Sequence, residues 1–179
     1  YDLIFIPLQL LFNVRDFLWS LQGKTLNALV NHVVFRLVAS NEEKSYNMSQ
    51  NDEEKVVLTE FMIKFWNSLM LRIIDKSEHN ALIASLFATV MDLDVESGDP
   101  VHVGVFNLSM RCLSKVSKNI KNTIGMVNAS LVFTLIHNYI MRFGISNPDS
   151  LGSKTVKSLV HELVTNTGFN EIWNSYDKA

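Results

Sequence analysis

Glycine and proline are scarce in this chain of 179 residues, which contains only 7 glycines and 3 prolines. Folds made of many tight β-turns depend on both residue types, so their scarcity argues against such a fold. A hydrophobic content of 47% also excludes a disordered or low-complexity chain. The length fits one domain, residues 1–179, with a substantial core, rather than two full domains.

Cysteine is nearly absent, and metal or phosphate motifs are missing. The single Cys112 excludes an internal disulfide and a multi-cysteine zinc site, which fits a reducing compartment. No HExxH motif or glycine-rich phosphate loop occurs, and Asp92 and Asp94 fall in a predicted loop rather than in a helical magnesium cluster. A net charge of -2 gives no overall reason to expect nucleic-acid or membrane binding. We therefore expect no enzyme activity and no cofactor.

A long apolar run occurs at the very start, in the first twelve residues, YDLIFIPLQLLF. It is shorter than the ~20 residues that cross a bilayer, and it carries Asp2 instead of the basic residues of a signal peptide. The interpretation is a buried first helix from about Leu3 to Trp19. Because the chain opens on Tyr1 inside this run, we expect it to be a fragment of a longer protein.

Helical periodicity is abundant in the rest of the chain. Apolar residues between Leu26 and Val38 recur at i, i+3, i+4 and i+7, which predicts an amphipathic helix. The stretch from Val56 to Asp75 is apolar except for one stripe of polar side chains at steps of three and four: Glu60, Lys64, Ser68, Arg72 and Asp75. This pattern predicts a helix covered on at least two sides, at the centre of a stack. A turn follows, with Ser77 as the N-cap of the next helix.

Similar patterns predict further helices at about 103–117, 131–143, 156–164 and 170–176. Gly144 is expected to end the second of these. The polar residues 39–54 predict a mobile loop, and residues 118–128 predict a turn. Helix pairs with short internal turns and longer loops between pairs predict an all-α fold, an α-solenoid of HEAT-like antiparallel pairs with about eight helices. A globular helical bundle is the alternative.

An ordered set of segments suggests a family. It consists of NSLMLRIIDKS from Asn67, MRCLSK from Met110, LIH from Leu135 and TVKSLVHEL from Thr155, followed by Gly168. The set resembles the C-terminal TOG-like domain of the ch-TOG and Mini spindles microtubule polymerase family. The resemblance implies a non-enzymatic HEAT-repeat paddle in a plus-end protein of the cytoplasmic cytoskeleton, working at spindles, centrosomes and kinetochores.

The resemblance also implies where partners would bind. In that family the turns inside helix pairs line one edge of the paddle and hold tubulin, with a tryptophan in the first turn and basic residues in later ones. The corresponding candidates here are Trp19, Lys24, Arg72, Lys76, Lys118 and Lys121. Trp19 alone is open to two interpretations, a core residue or a contact residue. The expected partner is tubulin or the microtubule lattice, and the alternative is a TACC-type coiled-coil adaptor that targets the protein to centrosomes and the spindle.

Overall fold

A computed structural model of the protein describes residues 17–21, 23–145 and 147–167. Within these ranges the chain forms α-helices, one 3₁₀ turn at Ile124–Met126 and no strand. The helices are α1 Phe17–Ser20, α2 Gly23–Ser49, α3 Glu53–Lys76, α4 His79–Met91, α5 Pro100–Thr123, α6 Ala129–Phe143 and α7 Leu151–Thr167. The all-α prediction is confirmed. The first predicted helix before Phe17 and the helix at 170–176 lie outside the described residues.

The helices pack in two layers. One layer contains α2, α4 and α6 side by side; the other contains α1 next to α3, and α5 next to α7. The layers meet where α2 packs on α3 and α5, and where α4 packs on α5. This is a solenoid-like arrangement, in agreement with the predicted fold class. The helix pairing differs from the prediction in one respect. Helix α3 was expected to pair with α4, the helix after the tight turn, but it packs mainly on α2.

The core lies between the two layers and is made of aliphatic side chains, a Phe65–Trp66 pair on α3 and a larger aromatic cluster. Burying each such side chain stabilises the fold by about 1.5 to 3 kcal/mol. The cluster surrounds Tyr139 of α6, whose ring centroid lies 6.1 Å from that of Phe87, 6.5 Å from that of Phe106 and 5.1 Å from that of Phe143. Burial raises the pKa of the Tyr139 phenol. The cluster joins α4, α5 and α6 into one unit.

The prediction that the helix at Val56–Asp75 is central was wrong. Helix α3 covers this stretch but exposes much of its apolar surface, with Val57 68% and Leu71 50% exposed. It packs chiefly on α2, through a face that includes Trp66 and Ile73. Of the predicted polar stripe only Lys64 and Asp75 are exposed, whereas Glu60, Ser68 and Arg72 are half-buried. The stripe therefore did not reveal which apolar sides of the helix meet a neighbour. The more enclosed helix is α4, which contacts α2, α5 and α6.

Residues 39–54 do not form a loop, contrary to prediction. Helix α2 continues to Ser49, because the segment contains no glycine or proline to interrupt it and its glutamates and lysine are good helix formers. The end of α2 also packs against α3, which the polar composition of the segment did not predict. Lys44 pairs with Glu60 at 2.8 Å, and Asn47 is buried. The true connection is residues 50–52, in which Asn51 adopts a positive φ that asparagine tolerates.

The ends of other helices also differ from the predictions. Helix α5 continues to Thr123, so Lys118 and Lys121 belong to a helix and not to a turn. Ser77 is not an N-cap, because its backbone N–H donates to the Ile73 carbonyl and so closes α3. Gly144 does end α6, with a φ of 68° and its N–H donating to the Ile140 carbonyl at 2.8 Å.

Candidate functional site

Three turns lie at the same end of the two-layer stack. Short connections between packed helices reverse the chain each time, so the start of α2, the end of α3 and the end of α5 share one end. A groove of about 300 Å³ places Lys24 and Asn27 of α2 beside Ala81 and Ser85 of α4. We name this end the turn edge and define it by Trp19, Lys24, Asp75, Lys76 and residues 77–80 and 124–128.

Asn80 connects two of these turns. Its side-chain Nδ2 donates to the Met126 carbonyl at 2.8 Å, and its Oδ1 accepts from the Asn128 N–H at 2.7 Å. The partners are 46 and 48 residues away in sequence. One amide side chain therefore holds the α3–α4 turn against the α5–α6 turn.

The Glu78 carboxylate keeps Asn80 in position. Its Oε1 accepts from the Asn80 backbone N–H at 2.9 Å and from Nδ2 at 2.7 Å, and its Oε2 accepts from the Ala81 N–H at 2.6 Å. These bonds satisfy N–H groups that have no partner within the helix, and the negative charge suits the N-terminus of α4. Sequence reasoning missed this pair, because no local pattern reports a contact between turns so distant in the chain.

The first turn presents its two candidate residues to solvent. Trp19 is 42% exposed on α1, so it is not a core residue. Lys24 lies in the first turn of α2 and is exposed. The structure thus places an accessible tryptophan and an accessible lysine on either side of the same connection.

The other candidates are not all at the turn edge. Lys76 is exposed at the end of α3 and pairs with Asp75 at 3.1 Å. Arg72, one turn earlier, is half-buried and lines a groove of about 380 Å³ between α3 and α5. Lys118 is exposed on α5 five residues before its end, about 7.5 Å along the helix axis from Thr123. Lys121 also lies within α5. Trp19, Lys24 and Lys76 are thus placed at the turn edge itself, and the backbone of Lys121 lies two residues before the end of α5, at the same end of the stack.

The described part of the chain offers little for catalysis or metal binding. It holds no group of three or more His, Cys, Asp or Glu side chains suited to a metal ion. Burial raises the pKa of the Cys112 thiol to about 11, which keeps it protonated and unreactive near neutral pH. Nor is any of the described helices long and apolar enough to cross a membrane.

Comparison with known proteins gives a distant relationship. Protein MOR1 of Oryza sativa subsp. japonica is 28% identical over 118 residues, which cover 58% of this chain. Centrosomal protein 224 of Dictyostelium discoideum is 24% identical over 151 residues, which cover 82% of it. The chain is a distant relative of both. It spans only 6% and 7% of their respective lengths. No protein-family model matches the chain, and no solved structure matches it.

Proposed function

We propose that this chain is a non-enzymatic interaction domain of a microtubule polymerase or plus-end protein, and that its turn edge contacts tubulin or the microtubule lattice. Similarity to a protein named for the centrosome, over 82% of the chain, supports a setting at centrosomes and spindles. The ordered segments that resemble the TOG-like domain support the microtubule partner. The main observation behind the proposal is the turn edge, where Trp19, Lys24 and Lys76 are exposed. Hydrogen bonds of Asn80 connect two of its turns.

The chemistry of the turn edge suits an acidic protein surface. Trp19 offers a large, rigid apolar contact at small entropic cost, the kind of side chain that carries much of the energy in protein interfaces. Lys24 and Lys76 add positive charge, although Asp75 and Glu78 offset part of it. We therefore expect modest affinity for tubulin and clear weakening by salt, since exposed charges about 10 Å apart are largely screened at about 0.1 M ionic strength.

Charge reversal tests this proposal. The variant Lys24→Glu with Lys76→Glu should bind microtubules and soluble tubulin about tenfold more weakly than the unaltered domain at low salt. The matched control is Arg36→Glu with Lys64→Glu, two exposed positions outside the turn edge, which makes the same change in net charge. Absence of any binding by the unaltered domain, or equal weakening in both variants, would contradict a contact through the turn edge.

The second candidate is docking of a TACC-type coiled-coil adaptor, and the exposed surface of α3 favours it. Val57, Leu58 and Leu71 are all exposed on this helix. A coiled-coil helix presents a matching apolar seam. Pull-down with the adaptor's coiled coil should be lost in Val57→Lys with Leu71→Lys while tubulin binding persists. The reverse outcome would reject the adaptor at this face.

A further inference from the structure

Helix α5 has a charge distribution unlike that of the whole protein. Its 24 residues contain no aspartate or glutamate, although the chain as a whole carries a net charge of -2. Arg111, Lys115 and Lys118 recur at i, i+4 and i+7, which places them on one side of the helix, and all three are exposed. The outer surface of α5 is therefore a row of cations.

Helix α7 extends this row sideways. The Thr155 hydroxyl donates to the Met110 carbonyl at 3.3 Å, and the Ser117 and Ser158 hydroxyls lie 3.1 Å apart. The later residue of α5 contacts the later residue of α7, so the two helices run in the same direction. They are parallel neighbours in one layer. On α7 the exposed side includes Lys154 and Lys157. We name the surface formed by Arg111, Lys115, Lys118, Lys154 and Lys157 the basic face.

The basic face has few negative charges of its own. Among the described residues, Arg111, Lys115, Lys118 and Lys157 have no carboxylate within 4.0 Å, and only Lys154 pairs, with Asp149 at 3.3 Å. Like charges at i, i+4, such as Arg111 and Lys115, destabilise a helix slightly. Besides Asp149, two acidic side chains border the face, Glu42 in a groove with Arg111 and Asp75 in a groove with Lys115. The mutual repulsion of the closely spaced cations is a cost to the fold that an acidic partner would reduce.

We propose that the basic face is a second binding surface, separate from the turn edge, and that it binds an acidic polypeptide segment. The five cations cover a surface only about two helices wide, or roughly 20 Å, which fits one extended or helical segment. The groove between α3 and α5 lies at its border, where Leu71 is 50% exposed close to Lys115. That groove would take an apolar side chain of the same segment.

An acidic polypeptide fits this surface better than a nucleic acid. Single-stranded nucleic acids bind to grooves in which aromatic side chains stack on bases. Helices α5 and α7 expose no phenylalanine, tyrosine or tryptophan, since Phe106 of α5, their one such residue, packs against Tyr139 and Phe143. The exposed His161 of α7 is a single ring and does not form a row of stacking platforms. The overall negative charge would also repel a long polyanion more than a short acidic peptide.

The test is binding of a fluorescein-labelled oligoglutamate peptide of about twelve residues, long enough to reach ~40 Å when extended, followed by fluorescence anisotropy at about 50 mM salt. The triple variant Lys115→Glu, Lys118→Glu and Lys157→Glu should bind it at least about tenfold more weakly than the unaltered chain. The matched control reverses the same number of charges outside both proposed surfaces, at the exposed Arg36, Lys55 and Lys64, and should bind within about twofold of the unaltered chain. Neutralisation of the same three lysines to glutamine should give an intermediate loss.

Several outcomes would overturn the proposal. One is equal weakening in the test and control variants, which would mean that only net charge matters. A second is no measurable binding of the peptide by the unaltered chain. A third is tighter binding of an oligouridylate of equal length, which would replace the acidic polypeptide with a nucleic acid. Circular dichroism of each variant establishes that it is folded, and the Lys24→Glu with Lys76→Glu variant separates this surface from the turn edge.

Discussion

Replacing Asn80 with alanine should loosen the turn edge by a calculable amount. The side chain makes two hydrogen bonds across the turns, with Met126 and Asn128, and one to Glu78. Partly exposed bonds of this kind contribute about 0.5 to 1 kcal/mol each, because water replaces them in part. Alanine regains roughly 0.5 kcal/mol through its higher helix propensity. The expected net loss of unfolding free energy is about 1 to 2.5 kcal/mol.

Urea unfolding followed by far-ultraviolet circular dichroism measures this loss. The matched control is Asn138→Ala, because Asn138 is an exposed asparagine inside α6 and its replacement should be neutral or slightly stabilising. Amide hydrogen exchange at Asn128 should also become faster in Asn80→Ala, since this N–H loses its acceptor. Equal stability of Asn80→Ala and Asn138→Ala, with unchanged exchange at Asn128, would refute the idea that Asn80 holds the turns together.

A second substitution at the same position separates hydrogen bonding from side-chain volume. Asn80→Asp keeps an acceptor for the Asn128 N–H but replaces the Nδ2 donor with a second carboxylate oxygen. That oxygen would face the Met126 carbonyl and the Glu78 carboxylate, neither of which can donate to it. The aspartate variant should therefore be less stable than the alanine variant at neutral pH and should recover part of the difference on acidification. An aspartate variant more stable than alanine would contradict the assigned geometry.

Three further predictions concern the fold. Gly152→Ala should destabilise by about 1 to 3 kcal/mol, because its Cβ would overlap the hydroxyl of Tyr139, whose ring is held within the aromatic cluster; thermal unfolding measures this. A hydrogen bond from Lys44 lowers the pKa of Glu60, so this pair should stabilise the protein at neutral pH and lose that contribution as the pH falls from about 5 to 3. The unfolding free energies of the unaltered protein and Glu60→Gln should therefore converge at about pH 3, and a difference that persists there would contradict this. Cys112, with its pKa raised to about 11, should resist thiol-specific reagents at about pH 8 until the protein unfolds, and fast labelling of the native protein would show the burial to be wrong.

Sequence periodicity was sufficient to predict the helices and the all-α class. Apolar side chains at i, i+3 and i+4 report burial directly, and this holds for Val30, Val33 and Val34, all fully buried in α2. The periodicity could not predict which helix is covered by neighbours on most sides. Whether an apolar side of α3 faces a neighbour or solvent depends on packing partners elsewhere in the chain, and Val57 and Leu71 face solvent.

Polarity was a poor guide to loops. Residues 39–49 are nearly all polar, yet they continue α2, because helix formation depends on backbone propensity and on contacts such as Lys44 with Glu60 as well as on apolar burial. The same error shortened α5 and placed Lys118 in a turn. Absence of glycine and proline was the better signal in both segments.

The candidate site was predicted in part. The family resemblance assigned Lys24 and Lys76 to turns along one edge, and both lie at one end of the stack. The contribution of Asn80 was not predictable, since its partners are more than 40 residues away. The basic face was also missed, because α5 was predicted to end at Ser117, which assigned Lys118 to a turn and separated it from Arg111 and Lys115.

Binding of the purified chain to soluble tubulin and to microtubules at low salt is the most direct test of the proposed function. The unaltered chain and the Arg36→Glu with Lys64→Glu control should both bind, and binding should decline with added salt. The Lys24→Glu with Lys76→Glu variant should bind about tenfold more weakly than either. Failure of the unaltered chain to bind either form of tubulin, or undiminished binding by the turn-edge variant, would contradict the account.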